Sequence, residues 1–258
     1  MPAYRVELHS HCHGDPVDRY IPHSIFQHID QAKKVGLDAI AVTWHRRICD
    51  NLEAVAYARE RGVLLIPGME AEVNRRHLVV LNLASGDLPA QPTWSEVRAL
   101  RLRKPDVLVM APHPFYPHPS CLGRTMEDHA DCIDAVEWCF IHVNWLHHRV
   151  NPNLRAARWA QKHGKTLLAS SDAHSLRSIG RNVSTVEADE LTTEAIFAGI
   201  RAGRVSFHRA SLPLAPLVYE TGKAMSSQPR HISRWMRDKI RKRRAASLES
   251  PAGTQAES

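Results

Sequence analysis

No stretch of the chain approaches the unbroken apolar run of roughly 18 residues that a membrane-crossing helix requires. The opening MPAYRVELHSH lacks a charged leader followed by an apolar segment, so a cleaved signal is not expected. Cysteine is sparse and unpaired in pattern: Cys12, Cys49, Cys121, Cys132 and Cys139 are odd in number and include no C-x-x-C. That excludes a disulfide scaffold or a zinc knuckle as a first expectation and favours a reducing, cytoplasmic setting. Most of the chain also lacks an excess of positive charge, although the net charge is +7. Between Lys223 and Arg244 there are nine Lys or Arg against one Asp, and Glu249 and Glu257 follow. The tail therefore carries six of the seven positive charges, and the body up to Gly222 is nearly neutral. Basicity is a property of the tail and does not make the body a nucleic-acid binder.

Histidine, by contrast, is abundant, with seventeen in 258 residues, and imidazole is a common metal ligand. The stretch Leu167 to Ser175, LLASSDAHS, is an apolar run ending in Asp172-x-His174. Residues two apart in an extended segment project on the same side, so this carboxylate and imidazole can reach one ligand. The same design recurs with His9-x-His11 after RVEL, His45 after LDAIAVTW, Glu70 after VLLIPGM and His113 after VLVMAP.

Apolar periodicity predicts strands over Tyr4–Leu8, Leu37–Val42, Val63–Ile66, His77–Leu83, Val107–Met110, Ile133–Trp138 and Thr166–Ala169, with a turn at Gly68. Helices are predicted over Ile21–Val35, Leu52–Arg61, Trp94–Arg101, Asn153–His163 and Thr192–Ala202, four of them stopped by Gly36, Gly62, Gly164 and Gly203. Strands alternating with helices imply one α/β domain with a mainly parallel sheet, in whose closed forms sites sit at the C-terminal strand ends. His77 is the exception among the candidates, because it opens its strand.

His9, His11, His45, Glu70, His77, His113, Asp172 and His174 offer eight donors, more than one ion accepts. Two or three divalent ions, zinc, manganese or iron, are therefore expected, with Glu70 able to bridge two of them. Such a cluster activates water and clamps the oxygens of a phosphoester, which makes hydrolysis at phosphorus by a metal-bound hydroxide the natural reaction.

The motifs ELHSHCHGD, AIAVTWHR, IPGMEAE, HLVVLNL, APHPF and ASSDAHS, in this order between about Val6 and Phe207, resemble the PHP (polymerase and histidinol phosphatase) superfamily of metal-dependent phosphoesterases. The resemblance implies a distorted (β/α)7 barrel over a body of residues 1–222, with a basic tail over 223–258. It implies His9, His11, Glu70 and Asp172 around a first ion, with Glu70 bridging to a second held by His77 and His113. A third would be held by His45, His174 and a loop residue, here Asp15, with His13 and Asp18 as alternatives. Trp44 departs from the family pattern, which has Asp before this His.

Arg46, Arg47 and Arg181 follow site motifs and are candidates for meeting phosphate oxygens, with Arg46 and Arg181 taken as the substrate-binding pair. Glu137, in DAVEW, is expected to stand behind a ligand or to face substrate, and His147 and His148 are expected to be loop or surface residues, with a place at the pocket's border as the alternative. The short connection between His77 and His113 leaves no room for an inserted domain, so a small substrate is expected, such as histidinol phosphate or a nucleotide. Two alternatives are a PHP-like binding module acting through its tail, which Trp44 favours, and a metal-dependent amidohydrolase, which the absence of a lysine at a strand end disfavours. In the tail, Ile232, Trp235 or Met236, and Ile240 oppose basic residues, the pattern of a segment that meets an anionic membrane surface or nucleic acid.

Overall fold

A computed structural model describes residues 1–139 and 151–207. His147, His148 and the basic tail lie outside the described residues. The strands are β1 (Ala3–Glu7), β2 (Ala39–Val42), β3 (Leu64–Val73), β4 (Arg76–Leu81), β5 (Leu108–Ala111), β6 (Ala135–Cys139), β7 (Thr166–Ser170), β8 (Ser184–Glu187) and β9 (Val205–Phe207). They form one sheet in the order β7-β6-β5-β4-β3-β2-β1-β8-β9. The sheet curls until β7 reaches β8: the Ala169 N–H donates to Ser184 Oγ at 2.8 Å, and that hydroxyl donates to the Ala169 carbonyl at 3.1 Å. The result is the nearly closed, distorted α/β barrel expected.

The sheet is less parallel than the sequence implies. Parallel pairs join β1 to β2, β2 to β3, β5 to β6 and β6 to β7. Antiparallel pairs join β3 to β4, β4 to β5, β1 to β8 and β8 to β9. The cause is a hairpin that the sequence hides. Gly68 reads as a turn, yet β3 runs straight through it; a Cβ there would lie 2.6 Å from Leu81 Cδ2, so glycine serves close approach to β4. The reversal comes instead at Asn74 and Arg75, both left-handed at φ 48° and 66°, as a two-residue hairpin turn needs. Because β4 runs backwards, its opening residues lie at the end of the barrel where the parallel strands finish, and His77 joins the other candidates there.

Among the described residues five α-helices, α1 (Ile25–Lys34), α2 (Leu52–Glu60), α3 (Trp94–Arg103), α4 (Pro152–Lys162) and α5 (Thr193–Arg201), are each capped by a Ser, Thr or Asn side chain. Ser24 with Gln27 and Thr93 with Glu96 make reciprocal capping boxes. That cap starts α1 four residues later than apolar spacing suggests. A 3₁₀ segment, Gly123–Cys132, and the short β8 and β9 carry no periodicity that would announce them.

Apolar side chains fill the interior from Val6, Leu8, Ala39, Ala41, Ile66, Val79, Met110, Ala135 and Leu168, with Phe197 and Ile200 of α5 packed among them. One outer layer packs α1 and α2 on β2 and β3; another packs α3 and α4 on β3 to β6. Strand alternation carries the inward face from core to site: Ile66 leads to Glu70, Ala135 to Glu137, Ala41 to His45, and Leu168 to Asp172.

Candidate metal centre

The first group of donors is His9 Nε2, His11 Nε2, Glu70 Oε2 and Asp172 Oδ1. His9 Nε2 lies 3.3 Å from Glu70 Oε2, 3.4 Å from Asp172 Oδ1 and 3.3 Å from His11 Nε2. His11 Nε2 lies 3.4 Å from Glu70 Oε2 and 3.3 Å from Asp172 Oδ1. Four ligands at about 2.0–2.1 Å from one tetrahedral ion stand about 3.3–3.4 Å from each other. These spacings fit such an ion. Asp172 Oδ1 and His77 Nδ1 are buried without a hydrogen-bond partner, although His77 Nδ1 is 2.7 Å from Glu70 Oε1. Lone pairs that converge on a common point, instead of on a hydrogen, produce that pattern.

Glu70 has two sides. Oε2 faces His9, His11 and, at 3.1 Å, His45 Nε2, while Oε1 faces His77 Nδ1 and, at 3.3 Å, His113 Nε2. A buried carboxylate with imidazoles at both oxygens is placed to bridge two cations, which no monodentate residue could do.

Four of the imidazoles are turned by a partner behind them. His9 Nδ1 is 2.9 Å from Glu137 Oε1, and His11 Nδ1 and His45 Nδ1 are 2.9 and 3.0 Å from Asp15 Oδ2. His113 Nδ1 is 3.4 Å from Cys121 Sγ. Protonating Nδ1 leaves the Nε2 lone pair free for a metal. Glu137 also accepts the His113 N–H at 2.5 Å, so one carboxylate holds two candidate ligands.

In the loop after His11, Asp15 lies among the other candidates: His11, Asp15, Asp18 and His45 offer donor atoms close enough together to hold an ion. Asp15 Oδ2 accepts from His11 Nδ1, His45 Nδ1 and the His45 N–H, and its Oδ1 accepts from the Val17 and Asp18 N–H groups. Five contacts thus surround its two oxygens. Asp18 is the acid that faces outward from this loop: its Oδ2 is 2.9 Å from His174 Nε2 and 3.4 Å from His45 Nδ1. His174 Nδ1 donates to the Asp172 carbonyl at 2.8 Å and Nε2 meets Asp18, and the charges of Asp172 and Asp18 raise His174 above its ordinary value against desolvation. His13 is exposed, with Nδ1 3.3 Å from the Ile21 carbonyl. His45 stands between two groups, Glu70 with His77 on one side and His11, Asp15 and Asp18 on the other, while His174 gathers with His11 and Asp172 and meets Asp18.

Burial penalises charge throughout the centre, but opposite charges overcome it. His9 is raised to about 10 by Asp172, Glu137 and Glu70 against its own desolvation. Glu70 and Asp172 are held well below the usual carboxylate range by the surrounding imidazoles, again against desolvation. In the chain alone, protons hold the place that cations take when ligands deprotonate. Non-glycine residues in the left-handed region, Asp172 at φ 46°, His113 at φ 32° and Arg46 at φ 56°, cluster here, as backbone strain does at functional sites. Asp172 is clamped from both sides: Glu7 takes the Ser171 N–H at 2.6 Å and its hydroxyl at 2.8 Å, and the Ala173 carbonyl takes the His11 N–H at 2.8 Å.

Sequence reading missed Glu7 and the chain Ser10, His28, His23. The Ser10 hydroxyl donates to the Ala41 carbonyl at 2.6 Å and so accepts from His28 Nε2 at 2.8 Å; His28 Nδ1 faces His23 Nε2 at 3.2 Å. Burial, with His23 and His11 nearby, lowers His28 to about 3 and keeps it neutral. His28 lies on the buried face of α1, where it reads as ordinary core.

Trp44 does not enter the centre. Its indole N–H donates to the Cys12 carbonyl at 3.2 Å and its ring packs in the α1–α2 layer. Arg46 lies near the centre with Nε 3.4 Å from Glu72 Oε2. Arg181 is exposed, bonded through Nε to the Arg177 carbonyl at 2.9 Å, and makes no contact with the centre among the described residues.

No curated protein matches the chain significantly. The PHP-associated family matches residues 150–205. Among solved structures, a two-domain protein of Bacteroides vulgatus containing a predicted PHP-like metal-dependent phosphoesterase superposes with a TM-score of 0.61 at 18% identity, over 80% of this chain and 65% of that one. PsfC of Pseudomonas syringae gives 0.61 at 19% identity, over 88% and 99%. The lesion-specific endonuclease EndoQ of Pyrococcus furiosus gives 0.53 at 16% identity, over 80% and 58%. The chain thus spans less than two thirds of the first and the third, and identities this low establish a shared fold. The chain shares a fold with these structures, and its residues 150–205 are similar to the PHP-associated family.

Proposed function

We propose that the chain is a metal-dependent phosphoesterase that hydrolyses a small phosphate ester. The observation that carries this reading is Glu70, whose two oxygens face separate sets of imidazoles. His9, His11, Glu70 and Asp172 would hold one divalent ion; Glu70, His45, His77 and His113 a second; Asp18 and His174 a third. When bound, such ions activate water and stabilise negative charge on phosphoryl oxygens. The protein's own part is orientation. Glu137 and Asp15 fix the tautomers of His9, His11 and His45, and Glu7 fixes the Ser171–Asp172 turn. The centre opens where Asp172, His174, His77 and His113 keep 20, 24, 17 and 14% of their side chains exposed, which admits a phosphate group while His9 and His11 stay dry. Arg46, with Glu72 as its resting partner, can turn to phosphate there.

Residues 1–222 would form this metal-binding body in the cytoplasm, and the basic segment 223–244 a separate contact for a polyanion. No helix among the described residues is long and apolar enough to cross a membrane. Metal content and phosphate release, measured on wild type and Asp172→Ala with Mn or Zn added, test the proposal. Two to three ions per chain and phosphate release that the variant abolishes are expected. Bound ions with no release from any monoester or diester would sink it.

A further inference from the structure

One face of α1 breaks the pattern of the layer it belongs to. Ile25, Ile29 and Ala32 pack there with Cys12, Ile40, Val42 and Ile179, but His28 stands fully buried among them, and so does Ser10 opposite it. Apolar residues at both places would fill that layer at no desolvation cost, whereas buried polar groups must make their hydrogen bonds merely to break even. Here the bonds are made, and they run in one direction. The Ser10 hydroxyl has a single proton and gives it to the Ala41 carbonyl, so it accepts from His28 Nε2. His23 Nε2 lies 3.2 Å from His28 Nδ1 and 3.2 Å from the His11 carbonyl. A carbonyl only accepts, so His23 Nε2 carries a hydrogen, and His28 Nδ1 must accept as well. Every donor and acceptor of the chain is then fixed by its neighbour, as in a network that holds one arrangement.

Both ends of the chain grip the His9-x-His11 segment. Ser10 stands between the two imidazoles that face Glu70 and Asp172, and the carbonyl at the other end belongs to His11. The His13 N–H donates in turn to the His23 carbonyl at 2.8 Å, which ties the entry of α1 to the same segment a second time. Neighbouring strand ends hold the segment within the sheet: the Thr43 N–H donates to the Ser10 carbonyl at 2.9 Å, and the His11 N–H to the Ala173 carbonyl. The histidine chain acts across the sheet, from the helix layer behind it.

We infer that His28 and His23 are positioning residues: through the Ser10 hydroxyl and the His11 carbonyl they set how far His9 and His11 reach toward a shared ion. The inference rests on the metal-centre reading of the proposed function.

A chain that serves position separates stability from metal binding when it is removed. Ser10→Ala/His28→Leu deletes both partners and leaves apolar groups in an apolar layer, while His23 keeps the His11 carbonyl. The full-length, metal-free double variant should unfold at a urea midpoint equal to or above that of wild type, yet hold its tightest ion about tenfold more weakly in competition with a chromophoric chelator, a loss of the size seen when groups that orient ligands are removed. The absorption bands of bound cobalt(II) should shift in this variant. His28→Gln, whose amide donates to Ser10 and accepts from His23, should restore both the wild-type bands and an affinity within about threefold of wild type. His23→Leu, which leaves Ser10 and His28 paired, should weaken the ion in the same direction and carries the test if the double variant does not fold. Wild-type affinity and bands in the double variant and in His23→Leu would overturn the inference; so would losses that follow the urea midpoints across the series, or no rescue by His28→Gln. Elemental analysis of wild type reports separately on whether the centre binds metal at all.

Discussion

Replacing Glu137 by Gln changes almost no volume and removes one buried charge at a residue that holds two candidate ligands. In the native chain Glu137 Oε1 accepts from His9 Nδ1 at 2.9 Å, and Oε2 accepts from the His113 N–H at 2.5 Å. A glutamine has one accepting oxygen for these two donors, so its NH2 must face either the His113 N–H or His9 Nδ1. In the second case His9 moves its proton to Nε2 and its metal lone pair is lost. Losing a charge-assisted hydrogen bond costs about 1.5–3 kcal/mol, and losing a carboxylate behind a ligating imidazole lowers metal affinity about 10–100-fold. The two magnitudes agree, since about 1.4 kcal/mol is a factor of ten. Competition with a chromophoric chelator measures the affinity, and far-UV circular dichroism of the variant confirms the fold. The tightest ion should weaken by one to two orders of magnitude. An affinity within twofold of wild type would refute the idea that Glu137 orients these ligands.

Asp18→Asn should lower the ion count by one, whereas Asp15→Asn should keep the count and weaken at least two ions together, because Asp15 stands behind His11 and His45; elemental analysis under matched free metal separates the two. Trp44→Ala should leave metal content unchanged and lower stability by about 1–3 kcal/mol through lost packing, read as a urea midpoint; a missing ion would contradict the placement of the indole outside the centre. Burial raises Glu7 from 4.5 to about 7 against the donors from Ser171, Gly180 and Ser170. The folded state then binds more protons than the unfolded one between these values, so this stability is fully present below about pH 4.5 and is lost as pH rises through about 7, up to about 3 kcal/mol. Urea midpoints of the metal-free chain from pH 5 to 8 should fall more steeply for wild type than for Glu7→Gln, and parallel slopes would remove Glu7 as the cause.

The inward-facing candidate ligands were legible in the sequence wherever the information is local. His9-x-His11 and Asp172-x-His174 announce themselves because a strand end repeats its facing every two residues. Apolar runs and stop glycines located most helices within a few residues. Gly68 misled because glycine serves both turns and close approach, and only Leu81, thirteen residues on, shows which. His77 looked misplaced until the antiparallel course of β4 put its start at the working end. The sequence offers Asp15 with Asp18 as its alternative; the loop fold gives them different neighbours, backbone and imidazole donors around the first and His174 against the second. The sequence by itself therefore determined which residues could be ligands and that they lie at strand ends, since both follow from short-range periodicity. Only the tertiary structure decided which carboxylate stands behind which imidazole, because such partners as His9 and Glu137, 128 residues apart, meet through barrel closure and share no local pattern.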